Sequence, residues 1–371
     1  MTAKTILLAA GGTGGHLFPA FALAEELGRR GWRIELATDH RGDRYGADFP
    51  AAAVHQLSSA TITGRSPVAL ARTGFVLLSG IRQAMTLIGK IKPSAVVGFG
   101  GYPCFPPLAA ARLKSVPSAL HEQNAVLGRA NRLLAPRVSA LATSFETVKF
   151  IDGAVREKVR LTGNPVRGVV LDQAAAPYPS LAPGGPIRLL VFGGSQGARY
   201  FSNTVPAALQ RLSDEQRSRL HVTQQCRPED LDRVRQAYAA TGIAADCDAF
   251  FADLPARMAA SHLVIARAGA SSIAELTVIG RPSILVPLPH ALDNDQLLNA
   301  SSLAGAGGAW CIEEKDLDEA RLAGELAALI EDPPRLAAAA GAACRQGRPD
   351  AVRALADLVE ELAESKAVRA A

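Results

Sequence analysis

A two-domain α/β protein built on doubly wound parallel sheets is predicted by three observations. Short apolar segments alternate with helical ones along the whole chain. A strand running into a knot of glycines occurs twice, as TILLAAGGTGGH at 5–16 and as IRLLVFGGSQGAR at 187–199. The length, 371 residues, exceeds what one typical core organises. Gly11-Gly12-Thr13-Gly14-Gly15 lines up with Gly193-Gly194-Ser195-Gln196-Gly197, so the second half restarts the pattern of the first.

Each element follows in order. TILLAA (5–10) is an apolar run ended by glycines, the mark of a strand buried on both faces. FPAFALAEELGRRG (18–31) has helical spacing and a glycine stop, and RIELAT (33–38) is the next strand. AVVGFGG (95–101), PSALHE (117–122), VSALAT (138–143) and VRLTG (159–163) continue the series, with helical patches between. AAAPYPSLAPGGP (174–186) reads as a linker or long surface loop. The second series is IRLLVF (187–192), LHVTQQC (220–226), AADCDAFF (244–251), HLVIAR (262–267), PSILVP (282–287) and AWCIEE (309–314). Helices are expected at 201–212 and 271–280, and the Ala/Leu/Arg/Glu-rich last forty residues read as two more.

Composition narrows the classes. Hydrophobic residues at 48% and charged residues at 20% fit a soluble globular protein. A net charge of +5 is too mild to point to nucleic acid, but it suits an anionic partner such as a phosphorylated ligand or an acidic membrane surface. Cysteines 104, 226, 247, 311 and 344 contain no C-x-x-C pair, so neither a zinc site nor a disulfide framework is indicated, and a reducing compartment is expected. The first apolar run is too short for a signal peptide, and no run approaches 18 residues, so no transmembrane helix is expected.

A strand ending in glycines before a helix presents backbone N–H groups at the positive helix end, where phosphate is favoured. A plain tight turn is the other reading; two knots, each opening a sheet, favour phosphate. The dinucleotide fingerprint fails, because Leu17 stands where the third glycine belongs. Asp39, ending the second strand, keeps a nicotinamide or flavin enzyme as an alternative. No Walker A pattern occurs. His16 follows the first knot and is a candidate general base.

HEQNAVLGRANR (121–132) gathers His121, Glu122, Gln123, Asn124 and Asn131, more polar groups than a helix cap requires. GFGGYPCFPP (98–107), with Gly101 and Tyr102, reads as a rigid loop. Arg167 in TGNPVR is either a surface charge or a phosphate contact. ARAGASSIAE (266–275) is a strand, a small-residue turn and a helix carrying Glu275, a carboxylate that can accept both hydroxyls of a ribose or complement the helix dipole. PLPHALDNDQLLNA (287–300) carries His290, Asp293, Asn294, Asp295, Gln296 and Asn299 and looks like a sugar-reading loop; its acids do not complete a metal site.

GGTGGHLFP, GFGGYP, HEQN…G…N, TGNPVR, GGSQGAR, ARAGASSIAE and D-x-DQ-x-x-NA, in this order over residues 5 to about 300, resemble the MurG-type UDP-N-acetylglucosamine:lipid I N-acetylglucosaminyltransferases of peptidoglycan synthesis. The resemblance implies a GT-B fold, two Rossmann-like halves facing across a cleft. It implies an inverting transfer of GlcNAc to the C4 hydroxyl of MurNAc in lipid I, giving lipid II with no cofactor and no metal. Residues 1–164 would form the acceptor and membrane-facing domain and 165–345 the donor domain, with 346–371 a C-terminal helix packing back on the first.

On this resemblance Ser195 faces the donor phosphates, Phe250 and Phe251 border the uracil, Glu275 holds the ribose, and Gln296 and Asn299 read the sugar hydroxyls. Arg167, Arg267 and Ala270 join the donor set, and Thr13, Gly14, Gly15 and Asn124 are counted with it. The acceptor side has Gly101, Tyr102, His121 and Asn131, with His16 as base and Glu122 as its rival. Many relatives carry His-Gln where this chain has Asp295-Gln296, so Asp295 receives no role. A UDP-sugar transferase with another acceptor, or a UDP-GlcNAc epimerase, is the alternative. The implied location is peripheral, on the cytoplasmic face of the bacterial inner membrane, with other cell-wall synthesis or division proteins as candidate partners and no nucleic acid. Residues 65–92 support a membrane surface by interleaving Arg65, Arg72, Arg82, Lys90 and Lys92 with Phe75, Leu78 and Ile81; a core-facing amphipathic helix is the other reading.

Overall fold

The computed structural model describes residues 4–11, 14–39, 49–60, 66–194 and 199–370. The chain divides into two compact units, 1–167 with 350–371, and 168–349. The boundaries therefore fall at 167/168 and 349/350 rather than 164/165 and 345/346.

The first unit runs β1 (Thr5–Ala9), α1 (Gly14–Arg29), β2 (Arg33–Thr38), β3 (Ala53–Gln56), α2 (Pro67–Ile91), β4 (Ala95–Gly98), α3 (Phe105–Leu113), β5 (Ser118–Glu122), α4 (Arg129–Leu134), β6 (Ala140–Thr143), α5 (Gly153–Arg156) and β7 (Val159–Leu161). Its strands pair in the order β3-β2-β1-β4-β5-β6-β7, every pair parallel. The central strands are buried on both faces, which is why TILLA and AVVG are unbroken apolar runs. Ile6 and Leu8 point into one layer with Leu23 and Leu27; Leu7 and Ala9 point into the other with Leu108 and Leu120. Among the strands of the described residues, only β3 escapes the sequence reading. It is a four-residue edge strand, AVHQ, half exposed and lacking an apolar run.

The second unit runs α6 (Gly168–Leu171), β8 (Ile187–Phe192), α7 (Arg199–Gln210), α8 (Asp214–Ser218), β9 (Leu220–Gln225), α9 (Leu231–Thr241), β10 (Ala244–Asp248), α10 (Leu254–Ala260), β11 (Leu263–Ala266), α11 (Ala270–Ile279), β12 (Ser283–Leu285), α12 (Asp295–Gly305), β13 (Ala309–Cys311), α13 (Glu319–Ile330) and α14 (Pro333–Gln346). Its sheet, β10-β9-β8-β11-β12-β13, is also wholly parallel. The last helix, α15 (Ala351–Ala370), joins the first unit, where Leu355, Ala356 and Val359 lie fully buried in the same core layer as Leu23 of α1.

The Pro/Ala-rich stretch 174–186 is not a linker between units; it is a strap on the second. Tyr178 donates its hydroxyl to the His262 carbonyl at 2.8 Å. The buried Arg281 guanidinium donates to the carbonyls of Pro177, Ala259, Ile279 and Gly280.

Candidate active site

In an open parallel sheet, ligands bind beyond the carboxyl ends of the strands, at the point where strand order reverses. In the first unit that point lies between β1 and β4, and in the second between β8 and β11. In sequence, β1, β4 and β5 are followed by AGGTGGH, whose last three residues open α1, FGGYPC and QNAVLG; β8, β11 and β12 are followed by GGSQGA, RAG and VPLPHALDN. Every motif singled out in the sequence except TGNPVR therefore leaves a strand at or next to a reversal point.

In the first unit, Gly14 and Gly15 form the first turn of α1, with half-buried His16 directly after them. Thr13 and Ser195 lie outside the described residues. The β4 loop closes tightly over His16. Gly100 (φ +92) and Gly101 (φ +73) take left-handed backbone that a side chain would strain, and a Cβ on Gly100 would sit 3.3 Å from His16 Cε1. Cys104 pins this loop, its Sγ lying 2.8 Å from the Ala9 carbonyl and 2.9 Å from the Gly100 carbonyl, which share its single S–H. Burial pushes that thiol up to about 12, so it stays protonated. Tyr102 opens the short 3-10 turn Tyr102–Cys104.

The polar cluster at β5 divides into two groups. His121 and Glu122 are the last two residues of β5, 0% and 1% exposed. His121 Nε2 meets the Gly163 carbonyl at 2.9 Å, and burial lowers the imidazole to about 4, so the ring is neutral. This corrects the expectation that His121 lines the acceptor side: the ring is sealed inside the unit. Glu122 accepts from Asn124 N (3.0 Å), Gly128 N (2.9 Å) and Asn131 Nδ2 (2.7 Å), which organises the loop from β5 to α4. Burial raises its pKa while these donors pull the other way. A carboxylate so enclosed is a poor rival to His16 as base. Gln123, counted in the polar cluster at 121–132 but given no role by the resemblance, joins His16 to His121. The sequence marks it as polar in a dense stretch; its partners show what it connects. Arg167 lies over the Phe18 ring, 4.9 Å from the centroid.

In the second unit, Ala270 is the first residue of α11 and Glu275, 8% exposed, lies further along it. Phe250 is 73% exposed just past β10, whereas Phe251 is tucked under the Arg257 guanidinium. The loop after β12 holds three non-glycine residues at positive φ, His290, Asp293 and Asn294, a concentration of strain typical of ligand-holding loops. Gln296 Oε1 accepts from Leu288 N at 2.9 Å and staples this loop. Asn299 is fully buried and donates to the Ala268 carbonyl at 3.1 Å, which ties α12 to the β11–α11 turn. Arg267 is likewise internal. It donates to the carbonyls of Val286 and Pro287 (both 3.2 Å) and to Glu314 (2.5 Å), and lies over Tyr200 and Phe201 in the first turn of α7. Among the described residues no cluster of three or more His, Cys, Asp or Glu could hold a metal ion.

The glycosyltransferase family 28 N-terminal domain matches residues 6–143, and the family 28 C-terminal domain matches 188–355. A UDP-N-acetylglucosamine–N-acetylmuramyl-(pentapeptide) pyrophosphoryl-undecaprenol N-acetylglucosamine transferase of Mesorhizobium japonicum is 54% identical over 99% of this chain and 98% of its own length. The protein of the same name from Brucella abortus is 53% identical over 98% of this chain and 96% of its own. The chain belongs to the MurG family. The crystal structure of Acinetobacter baumannii MurG superposes with a TM-score of 0.80 at 26% identity, covering 96% of this chain and 99% of that one. A Neisseria meningitidis UDP-GlcNAc 2-epimerase bound to UDP-GlcNAc shares the fold at a TM-score of 0.65 and 13% identity, over 96% of this chain and 100% of that one. The two parallel-sheet α/β units are those of a GT-B glycosyltransferase.

Proposed function

We propose that this MurG-family enzyme transfers N-acetylglucosamine from UDP-GlcNAc to lipid I, the undecaprenyl-pyrophosphoryl-MurNAc-pentapeptide, yielding lipid II for peptidoglycan synthesis. The observation that carries the reading is 54% identity along nearly the entire length of a relative bearing that name. Transfer of labelled GlcNAc from UDP-GlcNAc to a short-chain lipid I analogue, with EDTA present, tests it. Product is expected. No product, with UDP-GlcNAc still bound, would keep the donor and discard the acceptor.

The chemistry is an inverting displacement. The C4 oxygen of MurNAc forms a bond to the anomeric carbon of GlcNAc, the bond from that carbon to the diphosphate breaks, and UDP departs with the electron pair. The hydroxyl proton passes to His16 Nε2. Supporting His16 as base are its place at the start of α1 and its half-open position against Gly101. The second knot, Glu275, Phe250 and Gln296 surround the donor on this reading, backbone N–H groups meeting the charge that grows on UDP. Replacing His16 by Ala lowers kcat by roughly a hundredfold or more while the KM for UDP-GlcNAc changes little; an unchanged kcat would remove His16 from the role.

Attachment to an anionic membrane surface belongs to the same reading. Along α2, Ala84, Leu87 and Ile88 are buried in the unit, but Phe75 (76% exposed) and Leu78 (63% exposed) are not. Exposed Arg72, Arg82 and Lys90 share the helix, whereas Arg65 lies outside the described residues. The two readings of this helix are thus divided along its length. No helix among the described residues is long and apolar enough to cross a membrane. Flotation with anionic vesicles at low salt should carry the protein up, and Phe75→Ser/Leu78→Ser should leave it behind; equal flotation of both would count against this surface.

A further inference from the structure

The hydrogen bonds around Gln123 determine which nitrogen of His16 carries its proton. Gln123 is 2% exposed. One end of its amide faces the carbonyl oxygens of Phe99 (3.0 Å) and His121 (3.1 Å). Two acceptors there require the NH2 group, so Oε1 occupies the other end, 3.0 Å from His16 Nδ1. An amide oxygen only accepts, so His16 Nδ1 must be the N–H. In a neutral imidazole this leaves Nε2 with a lone pair. The same amide NH2 faces His121 Nδ1 at 2.9 Å, so that nitrogen is bare and the His121 proton is on Nε2, which donates to the Gly163 carbonyl at 2.9 Å. The chain is self-consistent from end to end, because it is anchored at backbone carbonyls whose direction cannot flip.

The bare nitrogen of His16 is on the open side. A Cβ on Gly101 would stand 3.6 Å from both Nε2 and Cδ2, so the missing side chain there leaves that edge uncovered. We infer that Gln123, backed by His121, is a positioning residue that locks His16 in the Nδ1–H tautomer, holding a basic Nε2 toward the acceptor hydroxyl. The inference rests on the reading of His16 as base. The relay also explains why His121 and Gln123 are buried polar groups: they act on the reaction through His16 without touching substrate. Glu122 faces Gly128 and Asn131 and takes no part in the relay.

Two measurements test this. The full-length wild-type protein, labelled with [15N]histidine and held at about pH 8.5 where ordinary imidazoles are neutral, reports each tautomer in long-range 1H–15N correlation spectra, with the His16 signals identified by their loss in His16→Asn. His16 is expected protonated on Nδ1 and His121 on Nε2; a His16 proton on Nε2 overturns the inference, whatever any variant does. The second is Gln123→Met, similar in length but able neither to accept from His16 nor to donate to His121. It should release His16 into a mixture of tautomers and lower kcat about ten- to a hundredfold, as loss of an orienting partner does, with the KM for UDP-GlcNAc within about twofold. Wild-type kcat in Gln123→Met overturns the relay while leaving the transferase reading standing. Failure of the wild-type chain to transfer overturns the base reading on which the relay depends.

Discussion

His121 has no exposed surface and both ring nitrogens engaged, so charging it sets a buried cation beside the amide NH2 of Gln123. Its pKa falls from 6.5 to about 4, mainly through burial. Between those values the unfolded chain holds the proton and the folded chain does not. The contribution of His121 is therefore fully present above about pH 6.5 and disappears as the pH falls toward about 4, a loss of about 3 kcal/mol. Urea unfolding of the first unit, compared between wild type and His121→Gln at pH 7 and pH 4.5, should show the wild type losing more stability on acidification; parallel losses would mean the ring already titrates freely. At this scale the sequence was legible in part. The polar density of HEQNAVLGRANR marked the place, because five hydrogen-bonding groups exceed what a helix cap uses. PSALHE reads as a strand through residue 122, and β5 does end at Glu122, but no local pattern shows that His121 turns inward onto the Gly163 carbonyl while Glu122 gathers the donors of the following loop.

The segment between β13 and α13 shows the same limit at the scale of an element. AWCIEE reads as a strand and nothing in it suggests chemistry. In the fold, Glu314 there holds Arg267 at the end of β11, the Leu317 carbonyl accepts from the Tyr200 hydroxyl, and Arg267 lies against the first turn of α7, just after the second knot. One connection thus ties the end of β11 to the first turn of α7. Such a role is set by strand order, β8-β11-β12-β13, which no local pattern encodes. The pair is partly open to water, Glu314 being 25% exposed, so its loss is worth about 1 kcal/mol. Glu314→Gln should accordingly raise the KM for UDP-GlcNAc about fivefold with kcat nearly unchanged. Steady-state kinetics with donor varied at saturating acceptor measures it; an unaltered donor KM would show that donor binding does not depend on the ion pair.

For the whole molecule, the repeat of strand and glycine knot made two sheets legible, since each knot must close a strand and open a helix. The return of the C-terminal helix is written in packing rather than in motif. Leu355, Ala356 and Val359 are fully buried with α1, while Arg30, just past the end of α1, pairs with Asp357 and Glu360, and Trp32 donates its indole N–H to Glu360. The first unit is therefore completed by residues that follow the whole of the second in sequence. This makes a distinctive thermodynamic prediction. Leu355→Ala removes a fully buried side chain from the core of the first unit and costs about 3 kcal/mol there. In a calorimetric scan the transition of that unit should fall by roughly 5–10 °C, although the substitution lies near the C-terminus. The transition of residues 168–349 should stay where it is, because Leu355 contributes nothing to the cluster built on Val191, Phe201 and Ile265. If both transitions moved together, the two cores would be unfolding as one cooperative body; if only the second moved, the last helix would belong to the other unit in solution.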